Sequence, residues 1–196
     1  MSRAALVFVA VLVAPIVTAC QDSTDPAGSF VVTGHIQNRT GSAIPGNTRI
    51  LAVWGVSSGS PDYGYVFGEG TINHLFGTFE IRFDQPPPST ALNRGALGVA
   101  FIIATTGESL QVGDSIGNSS AYSELIGITG QYAVIFLQNR DTVPLPNWTA
   151  AFGDGYSVGV GVKVPNEVFD DFAPTSRSSP ILIIDDPANI EVVNWT

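Results

Sequence analysis

The chain has 196 residues and is acidic, with 17 Asp and Glu against 8 Lys and Arg and a formal net charge of −9. Nucleic-acid backbones are bound by clustered Lys and Arg, so this charge balance excludes a nucleic acid as the partner. One cysteine and two histidines exclude an internal disulfide and the multi-ligand sites that hold zinc, so we expect no cofactor and no metal.

The first twenty residues have the features of a secretory leader. Arg3 supplies a positive start, residues 4–16 are apolar, and the small Thr18 and Ala19 precede Cys20. A membrane-crossing helix needs ~20 apolar residues, so this run is too short for a retained transmembrane anchor. A plain leader cut elsewhere would leave Cys20 unpaired in an oxidising compartment, which is unusual for a secreted protein.

The segment Val17-Thr18-Ala19-Cys20 resembles the lipobox of bacterial lipoproteins. The resemblance implies cleavage between Ala19 and Cys20, and a diacylglycerol thioether on the thiol of Cys20. In that family an aspartate directly after the cysteine marks retention in the inner membrane, whereas here Gln21 follows the cysteine. The resemblance therefore also implies an outer-membrane lipoprotein of the cell envelope, which would face the periplasm or the cell surface. An acidic domain is repelled by anionic headgroups, so membrane attachment would depend on the lipid anchor.

The sequence predicts three parts: a signal peptide at 1–19, a lipidated tether at 20–28 and one β domain at 29–196. The tether is polar and turn-rich, and residues 21–28 reach roughly 26 Å when fully extended. Beyond it, short apolar runs alternate with Gly and Pro, which total 21 and 13 residues. Strands without crossover helices favour an antiparallel β-sandwich, Ig-like or transthyretin-like, of about eight to ten strands with short helical turns in loops.

Two of the predicted strands have the clearest patterns. In residues 77–83, Phe79, Ile81 and Phe83 alternate with polar residues, so they should form one buried face. Residues 96–105 are almost entirely apolar, which is typical of a central strand covered on both sides. The helical turns are predicted at 120–125 and 166–172. The full set of predicted strands is 30–37, 48–57, 63–67, 77–83, 96–105, 110–112, 131–137, 156–164, 181–184 and 190–193.

Residues 31–83 also resemble the carboxypeptidase regulatory-like, transthyretin-type modules of secreted bacterial proteins. Residues 32–36 match their opening strand, Ile44-Pro45-Gly46 their turn, and residues 77–81 a later strand. The resemblance implies a β-sandwich and an accessory or binding role, and so favours a protein that is not an enzyme.

The strongest catalytic pattern is Gly55-Val56-Ser57-Ser58-Gly59, which has the glycine and serine spacing of a hydrolase nucleophile elbow. An elbow leads into a helix, whereas here a proline-containing turn follows, so a hairpin loop is the simpler interpretation and we predict no catalytic residue. An envelope hydrolase that uses Ser57 or a pair of carboxylates stays an alternative, since geometry decides such pairs.

Loop aspartates offer a weak signal for calcium. Asp154 and the pairs at 170–171 and 185–186 could donate oxygens, but neither pair has the spacing of an EF-hand loop. Solvated loop ends explain these residues more simply.

Aromatic residues provide the best candidate site. Tyr63, Tyr65 and Phe67 lie on one face of a predicted strand, with Trp54 on the strand before it. Such rings can form a platform that stacks on a polysaccharide or binds an envelope protein, although packing in the core is the simpler explanation. The sequence therefore predicts a non-catalytic binding, assembly or structural domain held at the membrane.

Overall fold

The computed structural model describes residues 29–55, 64–116, 124–162, 171–186 and 189–190. In these residues the regular structure is β-sheet with short 3-10 turns, which confirms the prediction of an all-β fold. No helix among them is long and apolar enough to cross a membrane. The strands are β1 Phe30–Asn38, β2 Arg49–Gly55, β3 Gly64–Asn73, β4 Thr78–Phe83, β5 Leu97–Thr105, β6 Ser115–Ile116, β7 Leu125–Ile128, β8 Tyr132–Leu137, β9 Gly155–Val162, β10 Asp171–Thr175 and β11 Ile181–Ile184.

Seven strands close into a barrel, in the order β5-β2-β3-β4-β1-β11-β7 and back to β5. Neighbouring strands are antiparallel except β1 and β11, which run parallel with His35 beside Ile181. Closure removes the open edges that two facing sheets would keep. The architecture therefore differs from a clear antiparallel sandwich, because β7 pairs with β11 on one side and back onto β5 on the other.

Strand β5 belongs to two parts of the molecule at once. Its last residues pair with β7, for example Ile103 with Ile128, whereas its first residues pair with β8, for example Leu97 with Leu137. Strands β8, β9 and β10 thus extend from the barrel as a second layer, which we call the lateral sheet. Both faces of β5 are covered, and this accounts for its almost continuous apolar sequence.

The barrel interior is filled by alternating side chains. Phe79, Ile81 and Phe83 are all buried, as the alternation in β4 predicts, while Glu80 and Arg82 face solvent. Near one end of the barrel, rings from five strands pack together. This aromatic cluster consists of Phe30, Trp54, Phe83, Phe136 and Tyr156.

Two smaller apolar clusters lie on the other face of the strands. One packs around Leu51, Val66 and Leu110 of β2, β3 and the segment that follows β5. The other lies on the lateral sheet, where Trp148 packs edge-on against Phe172 of β10.

Several sequence expectations about local structure are wrong. Leu125 begins strand β7 and not a helical turn, because β7 pairs with both β5 and β11. Residues 171–172 likewise belong to β10, an edge strand that tolerates Pro174. Residues 110–112 form no strand, and the nearby β6 lies at Ser115–Ile116. Glu124, just before β7, does have 3-10 conformation, whereas residues 120–123, 166–170 and 191–193 lie outside the described residues.

Gly34 marks a close approach in the barrel wall. A Cβ at this position would lie 2.4 Å from the ring of Phe79 and 2.4 Å from the carbonyl oxygen of Pro180. Only glycine fits here without moving a backbone atom, so this residue permits β1 to lie against the segment that leads into β11.

Candidate functional site

The structure places Trp54 in the core, which corrects its predicted position in a ligand platform. The side chain is 0% exposed, and its Nε1 donates a hydrogen bond to the carbonyl oxygen of Phe67 over 2.8 Å. Its ring meets Phe83 edge-on at 6.0 Å and Tyr156 at 6.1 Å. An indole enclosed in this way cannot stack on a ligand while the fold is intact.

Two other platform residues share the face of Trp54, as the alternation predicts. Tyr65 lies opposite Trp54 in the pairing of β2 with β3, and Phe67 follows on the same side. Both rings are half-buried against the barrel interior. Tyr63 lies outside the described residues, so the structure brings Trp54, Tyr65 and Phe67 together as packing and not as an open platform.

The residues of the lipobox, Ala19 and Cys20, lie outside the described residues, as does Ser57 of the candidate nucleophile pattern. Their predicted roles therefore stay predictions.

The most unusual surface is the turn between β3 and β4, which sequence analysis missed. Leu75 is 84% exposed and Phe76 is 72% exposed, far more than any other large apolar side chain among the described residues. We call residues 73–78 the apolar tip. Large apolar side chains exposed side by side usually mark a binding surface, because burying them in the core would stabilise the fold.

The apolar tip is held in one conformation by its own hydrogen bonds. Asn73 ends β3, and its Oδ1 accepts hydrogen bonds from the backbone N–H groups of Leu75 and Phe76, at 3.1 and 3.2 Å. Gly77 follows with φ of 60°, a left-handed conformation that favours glycine. Its carbonyl oxygen accepts a hydrogen bond of 2.7 Å from the N–H of Ile36 in β1. The exposure of the two side chains is therefore a property of an ordered turn.

A shallow pocket of about 350 Å³ lies beside the apolar tip. Its walls are mostly small and polar, and they include Thr33, Thr71 and Thr78, with Glu80 as the one charged residue. Ile181, which is 37% exposed, occupies the register position next to His35, and His35 in turn pairs with Thr78. Apart from Glu80, the residues that line this pocket beside the tip are uncharged or weakly polar.

A larger open pocket, of about 770 Å³, surrounds Arg140 in the 3-10 turn Arg140–Thr142 that follows β8. The guanidinium donates hydrogen bonds to the carbonyl oxygens of Thr149 and Phe152, at 2.7 and 2.6 Å, and its Nε lies 3.8 Å from Asp154. These contacts hold the 3-10 turn Asn147–Ala151, and the residues that lead into β9, against the 3-10 turn Arg140–Thr142. Arg140 therefore has a structural role, and its donors are committed within the chain.

The acidic side chains form no cluster suited to calcium in the described part of the chain, where no group of three or more His, Cys, Asp or Glu converges. Asp185 accepts hydrogen bonds from the side chain of Asn189 and the N–H of Asp186, and these lower its pKa. Its carboxylate is thus bound within the chain, to residues 186 and 189.

Comparisons with protein-family models, with curated proteins and with solved structures found no match to this chain.

Proposed function

We propose that the protein is a lipid-anchored lipoprotein of the bacterial cell envelope, attached to the outer membrane through Cys20. The observation that carries the proposal is the order of residues at the start of the chain: Arg3, the apolar run 4–16, and the small Thr18 and Ala19 directly before the single cysteine. Cleavage before Cys20 and acylation of its thiol leave the β domain outside the lipid, joined to it by the polar residues 21–28.

The β domain acts as a binding, assembly or structural module and not as a catalyst. The ordered apolar tip supports an interaction role, because an exposed pair of large apolar side chains favours contact with another surface. A polysaccharide or an envelope protein is the partner class that the sequence suggests. The resemblance of residues 31–83 to transthyretin-type modules, which are accessory or binding domains, fits this role.

The test of the anchor is the variant Cys20→Ser, compared with Ser23→Ala as a control in the tether. Mass spectrometry of the N-terminal peptide should show acyl mass on Cys20 in the wild type and in Ser23→Ala. The Cys20→Ser protein should lack this mass and should disappear from the outer-membrane fraction. A wild-type peptide without acyl mass, or Cys20→Ser protein still in the outer-membrane fraction, would contradict the proposal.

A further inference from the structure

The apolar tip lies in the longest uncharged part of its hairpin, in a chain that is otherwise acidic. From Gly70 to Phe79 the sequence has no Asp, Glu, Lys or Arg, although Glu69 and Glu80 flank this stretch. At its centre, Leu75 and Phe76 are exposed side by side at the apex of the turn. Charged groups are costly in a bilayer, so an uncharged apex with two large apolar side chains is suited to contact with lipid.

The shape of the tip favours a lipid surface over a protein as its partner. A stable protein interface buries ≳1,000 Å² and needs a complementary surface around its apolar centre. Here the two apolar side chains project from a turn, and the neighbouring pocket is shallow and lined mostly by small or polar residues. Side chains at such an apex can enter the boundary between headgroups and acyl chains, which requires no matching shape.

The tether is long enough for a lipid-anchored domain to place the tip at the bilayer. Strand β1 begins at Phe30, and its residue His35 pairs with Thr78 at the base of the tip. At ~3.4 Å per residue, His35 lies about 17 Å along the strand from Phe30. The apex adds a further two residues of strand, or about 7 Å. Residues 21–29 span at most ~30 Å, so the tether covers this distance of about 25 Å.

We propose that the apolar tip inserts Leu75 and Phe76 into the surface of the bilayer to which Cys20 anchors the protein. The inference rests on the proposed lipid anchor, because two side chains alone give weak binding and the anchor keeps the tip at a high local concentration near lipid. The domain then makes two contacts with the membrane, which fixes its orientation and leaves the lateral sheet facing water.

The test uses the acylated full-length protein in phosphatidylcholine vesicles that carry a spin-labelled lipid as a quencher. Because the thiol of Cys20 is acylated, the variant His74→Cys supplies one reactive thiol for a fluorophore at the tip. The exposed Ala150, in the 3-10 turn Asn147–Ala151 between β8 and β9, gives the control, Ala150→Cys. Lipid-borne quenching should be at least twofold stronger at position 74 than at position 150. Adding Leu75→Ser and Phe76→Ser to the tip-labelled protein should reduce its quenching to that of the control.

Equal quenching at the two positions, or quenching unaffected by the two serine substitutions, would overturn the inference. A second contrary result would be a label at position 74 that is protected from quenching by aqueous iodide only after an envelope protein is added. That result would favour a protein partner and overturn the inference. Labelling of the wild type at Cys20 would instead show that the anchor itself is absent. Failure of the proposed function and failure of membrane insertion are therefore separate results.

Discussion

The aromatic cluster and the apolar tip use the same kinds of side chain in opposite environments. In the cluster, Trp54 and Phe83 are 0% and 2% exposed, and Tyr156 stacks on Phe83 with ring centroids 4.9 Å apart. In the tip, Leu75 and Phe76 are 84% and 72% exposed, and the turn is held by polar atoms of the backbone and Asn73.

The difference separates stability from function in this fold. Rings in the cluster gain dispersion contacts and lose water, so they contribute to folding. Side chains at the tip make no such gain in the free protein. Exposed apolar side chains of this kind are typical of surfaces that contact another molecule. Substitutions in the cluster should therefore change stability, whereas those in the tip should change only contacts with other molecules.

The largest expected effect is that of Trp54→Ala. Removing a buried indole leaves a cavity and costs about 3–5 kcal/mol of the free energy of unfolding. It also leaves the carbonyl oxygen of Phe67 without its hydrogen-bond donor. Urea denaturation followed by circular dichroism measures the change. A loss below about 1 kcal/mol would show that the indole is not part of the core, and would restore it to the ligand platform.

Gly34→Ala tests whether the barrel wall beneath the tip is packed as tightly as the aromatic end. The added Cβ would lie 2.4 Å from the ring of Phe79 and from a backbone oxygen, so the variant should lose about 1–3 kcal/mol. Gly46→Ala is the matched control, because nothing lies within 4 Å of a Cβ there. The control should stay within about 0.5 kcal/mol of the wild type in the same denaturation experiment. Equal stability of both variants would show that the wall is open beside Gly34.

Tyr156→Phe tests the polar part of the cluster, since it keeps the ring and removes the hydroxyl. The hydroxyl donates a hydrogen bond of 2.6 Å to the carbonyl oxygen of Gln85, so its loss should cost about 0.5–1.5 kcal/mol. Denaturation at neutral pH measures this cost, and a variant as stable as the wild type would show that the bond contributes nothing.

The same hydroxyl predicts a pH dependence. Burial raises the pKa of Tyr156, whereas in the unfolded chain tyrosine ionises near pH ~10. Its contribution is fully present below pH ~10 and is lost as the pH rises toward the folded-state pKa, because the unfolded chain then releases the proton first. Wild-type stability should therefore fall more steeply than that of Tyr156→Phe above pH ~10. Parallel curves would contradict the burial of the hydroxyl.

The sequence predicts the parts of the fold that depend on local alternation. The face formed by Phe79, Ile81 and Phe83 follows from period two, and the burial of β5 follows from its continuous apolar run. Closure into a barrel depends on distant pairs, such as β7 with β5 and the parallel β11 beside β1, and no local pattern encodes them. The same distant contacts decide that Trp54 faces inward.

The apolar tip was missed because glycines interrupt the sequence pattern of β3. The sequence predicts that this strand ends at Phe67, before Gly68 and Gly70. In the structure Gly68 adopts φ of 116° at a bulge against β2, and the strand continues to Asn73. Leu75 and Phe76 thereby fall at the apex of a hairpin. The signal that could have found them is Asn73 followed by Gly77, residues that favour a tight turn.

The double substitution Leu75→Ser and Phe76→Ser should have the smallest effect on folding. Both side chains are mostly exposed, and the hydrogen bonds that hold the turn come from Asn73 and the backbone, which the substitutions leave in place. The free energy of unfolding in urea should stay within about 0.5 kcal/mol of the wild type. A loss near that of Trp54→Ala would show that the tip packs against the domain. An unchanged fold whose contact with phosphatidylcholine vesicles is lost would instead confine the role of these two residues to binding.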